Sequence, residues 1–202
     1  MKTLYLVRHG ETKWNHELRY LGHSDIPLNK TGQKQAKALA KRIKGLKVDL
    51  ILASDLKRTM QTAKAANSTL KTEIKKEPRL REIFFGEIEG VESKIAKKRF
   101  AKELKKWMED PDYALPGGES LGAFSNRLIS LLNDIKKMDD VDSIMLVTHN
   151  GVIRVMIQLL LDLPQRGQWY FKFKPTSISE VRFVDGFPVI QYLNSACHLK
   201  KD

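Results

Sequence analysis

Three short apolar runs, each ending at polar or charged residues, constrain the fold of this chain more than any other feature. They are residues 3–7, 48–54 and 143–148. Runs of this length with polar boundaries are typical of buried strands. They are followed, in the same order, by helical patterns within residues 36–46, 56–70 and 152–161. This alternation predicts an α/β fold: a three-layer sandwich with a mostly parallel sheet and helices on both faces.

The remaining segments add a hairpin and two further helices. Residues 178–193 form two alternating runs around an Asp-Gly pair, which predicts a β-hairpin. Residues 121–135 are typical of an amphipathic helix, and residues 71–90 read as mostly loop with a short strand. Residues 94–106 contain seven Lys and Arg against one Glu, and their apolar residues recur at helical spacing. A single basic helix is therefore expected there.

Composition bounds the class of protein. The chain has 202 residues and a formal net charge of +12, and one domain over residues 1–202 is expected. The single cysteine, Cys197, excludes a disulfide framework. The most apolar stretch, residues 152–163, is shorter than the roughly 20 residues of a membrane span, and the N-terminus lacks the features of a signal peptide. We therefore expect a cytoplasmic protein that does not enter a membrane and has no cysteine-based zinc site.

Reactive residues follow each of the three predicted strands. Arg8 and His9 follow the first strand, Arg58 lies one turn into the helix after the second, and His149 follows the third. The carboxyl ends of parallel strands meet at one edge of a sheet, where ligands of such folds bind. Arginine can fork onto phosphate oxygens, and an imidazole can attack phosphorus. These residues predict a phosphate site at that edge.

Glu82 is the best candidate for the proton donor that such a site needs. It lies in a predicted loop among Leu80, Ile83, Phe84 and Phe85. Apolar neighbours disfavour the carboxylate, so we expect a raised pKa that suits a general acid.

The residues after the first strand, LVRHGETKWN, resemble the signature of the histidine phosphatase superfamily, the phosphoglycerate mutase-like enzymes. Four further blocks follow in the order of that family: LGHSDIPLNKTG, SDLKRTMQTA, LREIFFGEIEG with LPGGES, and VTHNGVIR. The resemblance spans residues 4 to 154. It implies that His9 forms a phosphohistidine and that Arg8, Arg58 and His149 complete the phosphate pocket, with Glu82 as the proton donor. It also implies a reaction without metal or cofactor.

The same resemblance implies a set of substrate-side residues: Gly10, Asn15, Leu21, Gly22 and Asn150. Three nearby positions depart from the usual pattern of the family, namely Leu21, His23 and Ile88. The departures concern the substrate and not the phosphoryl chemistry. His23 is a possible neighbour of the substrate, whereas His16 and His198 are expected on the surface.

The segment 91–116 falls where family members carry a variable helical cap, so we expect a cap insertion there. Its lysines, among them Lys97, Lys98 and Lys102, could attract polyanionic substrates. The alternative is that most of them form an ordinary solvated helix face.

The sequence therefore predicts a metal-independent phosphomonoesterase that hydrolyses small phosphorylated metabolites through a phosphohistidine on His9. In this hypothesis Arg8, Arg58 and a protonated His149 hold the phosphoryl oxygens. The resemblance is to the phosphatase branch of the family, because the stretch between Glu82 and His149 lacks the longer insertion typical of the cofactor-dependent mutases. A 2,3-bisphosphoglycerate-dependent phosphoglycerate mutase is the first alternative. A non-catalytic anion-binding or nucleic-acid-binding protein is the second. A small phosphorylated substrate and no nucleic acid are expected as partners, with the chain a monomer or a homodimer.

Overall fold

The computed structural model describes residues 2–199, and within them six strands form one sheet. The strands are β1 (Thr3–Arg8), β2 (Leu50–Ala53), β3 (Glu73–Lys76), β4 (Ser143–Thr148), β5 (Ile178–Val184) and β6 (Phe187–Ser195). Their order in the sheet is β3-β2-β4-β1-β5-β6. The first four strands in this order are parallel to one another, β5 is antiparallel to β1, and β6 is antiparallel to β5. The predicted α/β fold with a mostly parallel sheet is confirmed.

Seven α-helices accompany the sheet in the described part of the chain. They are α1 (Lys13–His16), α2 (Lys30–Arg42), α3 (Lys57–Leu70), α4 (Ser93–Arg99), α5 (Ala101–Glu109), α6 (Leu121–Lys136) and α7 (Asn150–Leu160). Three 3₁₀ segments lie at Pro78–Leu80, Gly86–Ile88 and Gln165–Tyr170. No helix within residues 2–199 has both the length and the apolar character that crossing a membrane requires.

Alternate residues of the central strands face two separate cores, which produces the three layers. Leu6 of β1 and Leu146 of β4 pack against residues of α6 and α7 on one face. Val7 and Met145, their neighbours in sequence, pack against residues of α2 and α3 on the other. Side chains alternate between faces along a strand, so strands covered by helices on both sides must be apolar throughout. This requirement explains the short apolar runs.

Side-chain caps begin two of the helices, and the predicted Asp-Gly pair forms the turn of the hairpin. The side chain of Asn29 accepts a hydrogen bond from Gly32 N at the start of α2, and Ser120 accepts one from Ala123 N at the start of α6. Asp185 and Gly186 have φ values of 49° and 83°, as a tight turn between β5 and β6 requires.

The basic segment differs from the prediction of one helix. It breaks at Phe100, whose backbone (φ −117°, ψ 33°) ends α4 and begins α5. Phe100 packs against the core, and the guanidinium of Arg99 lies over its ring at 5.1 Å. Hydrophobic periodicity could not detect this break, because the residues with helical spacing, Phe100, Leu104 and Trp107, all lie at the break or after it.

Candidate active site

The pairing of β1 with β4 brings the two predicted histidines together. Arg8 lies opposite Thr148 in the parallel register, and His9 N donates a hydrogen bond to Thr148 O over 2.9 Å. His149 directly follows Thr148 at the end of β4, and its ring centroid lies 5.1 Å from that of His9. The sheet edge therefore holds both imidazoles side by side, as the strand pattern predicts.

His9 is held as a neutral imidazole with one nitrogen free. Its side chain is buried, and Nδ1 lies 2.7 Å from the carbonyl oxygen of Gly10. A carbonyl can only accept, so Nδ1–H is the donor and Nε2 keeps its lone pair. Burial and the charges of Arg58 and Arg8 hold the pKa of His9 well below its usual value. Nε2 is therefore available as a nucleophile at neutral pH.

His149 is also neutral, which corrects the expectation of a protonated side chain. Arg58 Nε donates to His149 Nδ1 over 3.2 Å, and His149 Nε2 lies 3.0 Å from Ser54 Oγ. Because arginine only donates, Nδ1 carries no proton and Nε2–H donates to Ser54. Burial and the nearby Arg58 hold the pKa of His149 well below its usual value. Sequence reasoning missed Ser54, although it opens the SDLKRTMQTA block.

Arg58 is fully buried, and backbone carbonyls determine its position. Its two terminal nitrogens donate to Ser24 O over 2.8 Å and to Gly22 O over 2.6 Å. Burial lowers the pKa of Arg58 to about 10, and the charges of Glu82 and Glu89 oppose that shift. The guanidinium stays cationic at neutral pH.

Glu89, which sequence reasoning did not single out as a site residue, holds the loop that supplies those carbonyls. Its carboxylate accepts hydrogen bonds from the backbone N–H groups of His23 (2.6 Å) and Ser24 (2.7 Å) and from the Ser24 hydroxyl. A Cβ on Gly22 would lie 2.2 Å from Glu89 Oε1. Only glycine therefore permits this close approach of the loop backbone to the carboxylate. Glu89 therefore positions Arg58 indirectly, because it holds the loop whose carbonyl groups accept hydrogen bonds from Arg58.

Arg8 presents a second guanidinium at the same edge. One terminal nitrogen donates to Phe173 O over 2.6 Å, while the buried Nε has no hydrogen-bond partner within residues 2–199. Burial lowers the pKa of Arg8 to about 10, so this side chain is also cationic at neutral pH. A buried donor without a partner is costly, and an anion would supply the missing acceptor.

The side chain of Glu82 extends from the loop before Gly86–Ile88 and places its carboxyl group beside the N-terminus of α7. Its carboxylate accepts from Gly151 N over 2.9 Å and from Ile83 N over 3.1 Å. Burial raises the pKa of Glu82, while those two hydrogen bonds and the charges of Arg58 and Arg8 act in the opposite direction. A Cβ on residue 151 would lie 2.2 Å from Glu82 Oε1, which explains the glycine at that position.

Sequence reasoning also missed the ion pair of Arg127 and Glu119, which supports the loop that carries Glu82. Arg127 donates to both carboxylate oxygens of Glu119, over 2.8 and 3.0 Å, and to Glu82 O over 3.0 Å. Glu119 N donates to Phe84 O over 2.8 Å. His23 Nε2 donates to Glu82 O over 2.9 Å, and its ring stacks on Phe84. The only sequence signal was that Glu119 belongs to the LPGGES block.

The predicted substrate-side residues are held by hydrogen bonds or by burial, and Asn150 is the one of them that lines the cavity beside Glu82. Gly10 N donates to Thr62 Oγ1, and Leu21 is buried. Asn15 forms a capping box with Thr12 at the start of α1. Asn150 Oδ1 accepts from Phe173 N over 3.1 Å.

Among the remaining histidines, His16 is exposed, as expected. His198 was expected on the surface but is only partly exposed, with Nε2 3.2 Å from Thr176 Oγ1.

A cavity of about 300 Å³ opens beside Glu82. Its walls are mainly apolar and aromatic, with Phe85, Leu104, Trp107, Phe124 and Trp169 among them. Its charged lining residues are Glu82, Lys97 and Arg154. Of the three lysines that sequence reasoning placed near the substrate, Lys97 lines the cavity, whereas Lys98 and Lys102 are exposed and do not.

At one sheet edge of this α/β fold, a neutral buried imidazole meets one fully buried and one partly buried guanidinium and a carboxyl group with a raised pKa. Such a set of groups can bind a phosphoryl group and exchange a proton with it. The family model of the histidine phosphatase superfamily (branch 1) matches residues 4–196. The chain belongs to this superfamily, and the predicted resemblance is confirmed.

Relatives and a solved structure agree with this membership. Phosphoserine phosphatase 1 of Hydrogenobacter thermophilus is 34% identical over 200 residues, covering 98% of this chain and 95% of that protein. A Proteus mirabilis protein named "Probable phosphoglycerate mutase GpmB" is 35% identical over 186 residues, covering 91% and 86%. The crystal structure of the alpha-ribazole phosphatase from Shigella flexneri has a TM-score of 0.87 at 30% identity and covers 96% of each chain. The predicted class, a phosphatase of this superfamily, is confirmed.

Proposed function

We propose that the protein hydrolyses phosphomonoesters of small metabolites without a metal, through a phosphohistidine on Nε2 of His9. The single observation that carries this proposal is the state of His9: Nδ1–H is committed to Gly10 O, and Nε2 is unprotonated between two arginine charges. A neutral nucleophile beside fixed cations suits attack on an anionic phosphoryl group.

In the first step Nε2 of His9 attacks phosphorus, and the bond from phosphorus to the ester oxygen breaks. Glu82 donates its proton to that oxygen, and the alcohol leaves. In the second step the Glu82 carboxylate accepts a proton from water, and the resulting hydroxide attacks phosphorus. The P–N bond breaks, inorganic phosphate forms, and both residues return to their starting states. This alternation of one carboxyl group between acid and base requires a raised pKa.

Arg8 and Arg58 stabilise the phosphoryl charge throughout. The free Nε of Arg8 is an available donor, and Arg58 is oriented by Gly22, Ser24 and His149. His149 acts as a neutral member of the pocket that fixes the plane of the Arg58 guanidinium. Fixed charges of this kind stabilise a transition state without reorganisation.

The stretch between Glu82 and His149 lacks the longer insertion that is typical of the cofactor-dependent mutases of the family. We infer from this that water, and not a second phosphorylated metabolite, accepts the phosphoryl group in the second step. Helices α4 and α5 act as the cap, because Lys97, Leu104 and Trp107 line the cavity beside Glu82. We propose one domain with this cap insertion, and a small phosphorylated substrate as its partner.

A phosphate-release panel with and without 2,3-bisphosphoglycerate tests this function, with His9→Ala as the blank. We expect phosphate release that needs no bisphosphate, and an acid-labile phosphoenzyme in the wild type that is absent from the variant. Mutase activity that depends on the bisphosphate and exceeds phosphate release would assign the protein to the alternative reaction. Full activity of His9→Ala would refute the phosphohistidine.

A non-catalytic binder of anions or nucleic acid is the remaining alternative. The buried Glu82 disfavours it, because a carboxyl group among arginines weakens anion binding unless it is needed as an acid. A gel shift at low salt is expected to show no retained nucleic acid.

A further inference from the structure

The cavity beside Glu82 lies on the leaving-group side of the site. Glu82 lines it, and in the proposed function this residue protonates the oxygen of the departing alcohol. The alcohol portion of the substrate therefore occupies this space, and the cavity walls decide which alcohols fit. The inference below rests on the proposed phosphatase function.

The walls of the cavity favour a flat, apolar alcohol portion. The ring centroids of Trp107 and Trp169 are 6.1 Å apart, and those of Phe85 and Trp107 are 6.0 Å apart. Aromatic walls of this kind bind planar groups by stacking and edge-to-face contacts. A volume of about 300 Å³ accommodates a group of one or two rings and not a large one.

Arg154 places one cation in this apolar wall. It extends from α7, its Nε donates to Phe171 O over 2.6 Å, and its guanidinium carbon lies 5.7 Å from the centroid of Trp169. These two contacts fix the plane of the Arg154 guanidinium group. Within residues 2–199 its terminal nitrogens have no hydrogen-bond acceptor, and the side chain forms no salt bridge.

A partly buried guanidinium with free donors is a binding site for a carboxylate. Arginine presents two parallel N–H groups that match the two oxygens of a carboxylate. The proposed mechanism keeps Glu82 protonated when the substrate arrives, so this residue does not neutralise Arg154 at that stage. Lys97, the other cation of the lining, is exposed, so the apolar part of the wall contains one partly buried guanidinium. This arrangement suits a monoanion better than a second phosphate group, which carries about two charges at neutral pH.

We propose that the substrates of this enzyme are phosphomonoesters whose alcohol portion is planar or apolar and carries a carboxylate, and that Arg154 binds this carboxylate. Arg154 is then a specificity-determining residue, and the carboxylate selects among alcohols that the aromatic walls admit.

The experiment compares 4-carboxyphenyl phosphate with its neutral isostere, 4-carbamoylphenyl phosphate. The wild type should prefer the carboxylate by about tenfold or more in kcat/KM, because a charge-assisted hydrogen bond is worth that factor. Arg154→Gln should reduce this ratio to near one, and Arg154→Lys should restore part of it. Arg166→Gln is the matched control, because Arg166 is an exposed arginine of the 3₁₀ segment that also carries Trp169 and does not line the cavity. It should keep the wild-type ratio.

Inhibition of the wild type gives a second measurement that does not depend on any variant. Benzoate should inhibit phenyl phosphate hydrolysis competitively and more strongly than benzamide. Equal inhibition by the two compounds, or an unchanged ratio of the two esters in Arg154→Gln, would overturn the assignment of Arg154. Failure of the proposed function looks different: the wild type would then release no more phosphate from phenyl phosphate than His9→Ala does.

Discussion

The Nε of Arg58 donates a hydrogen bond to Nδ1 of His149 across 3.2 Å. This contact joins the helix after β2 to the end of β4, the neighbouring strand. Because the guanidinium can only donate, the contact exists only while His149 is neutral. The charge of the pocket therefore resides on the arginines, and both histidines are uncharged.

The neutral histidines should make the folded protein less stable as the pH falls below 6.5. The pKa values of His9 and His149 are lowered on folding, so the unfolded chain takes up protons that the folded chain does not. Each histidine should cost about 1.4 kcal/mol of unfolding free energy per pH unit below 6.5, until its folded pKa is reached. Urea unfolding at pH 7.5, 6.5 and 5.5 measures this slope.

The control for that measurement is a histidine on the surface. His149→Gln should reduce the slope by about 1.4 kcal/mol per pH unit, which is the contribution of one proton taken up on unfolding. His16→Gln should leave it unchanged, because the His16 side chain is 77% exposed. A slope that His149→Gln does not alter would contradict the neutral state of His149.

Glu82 should control the alkaline limb of the pH–rate profile. Its pKa is raised by burial, and the first step needs its proton, so kcat/KM should fall as the pH rises through that pKa. Glu82→Gln should lose on the order of 100-fold or more in kcat on alkyl phosphates and should lose this limb. The loss should be much smaller on 4-nitrophenyl phosphate, whose leaving group departs without a proton. Equal losses on the two substrates would argue against a general acid.

Gly151→Ala should impair catalysis by displacing the Glu82 carboxyl group. The new Cβ would lie 2.2 Å from Glu82 Oε1, so the carboxyl group must move. A misplacement of about 1 Å can cost on the order of 100-fold in kcat. In a Glu82→Gln background the same substitution should add little, because the group it displaces no longer donates a proton. Additive losses would show that Gly151 acts through another residue.

Glu89→Gln should weaken phosphate binding through Arg58. The substitution replaces one acceptor oxygen of the carboxylate that holds the backbone of His23 and Ser24, and the carbonyl of Ser24 in turn positions Arg58. We expect competitive inhibition by inorganic phosphate to weaken by about tenfold, the effect of losing one charge-assisted hydrogen bond.

Glu87→Gln is the matched control for Glu89, because Glu87 is an exposed residue of the same 3₁₀ turn. It should retain the wild-type phosphate affinity. If the two variants bind phosphate equally well, Glu89 does not position Arg58.

Local patterns predicted most of the fold. The apolar runs of β1, β2 and β4 reflect burial on both faces of the sheet, and the Asp-Gly pair forms the turn of the hairpin through its own backbone conformation. The break at Phe100 was missed because the apolar residues that indicated a helix all lie at the break or after it.

The amino-acid sequence by itself determined which residues end the central strands, and so which side chains could meet: Arg8 and His9, Arg58, and His149. These depend on short-range periodicity and on blocks of adjacent residues, which the chain carries at any stage of folding. Only the tertiary structure decided the charge state of His149 and the hydrogen bonds by which Glu89 holds the loop that positions Arg58. The same is true of the apolar surroundings of Arg154. The physical reason is that hydrogen-bond partners and burial come from residues distant in sequence, and both are set only when the sheet has aligned its strands.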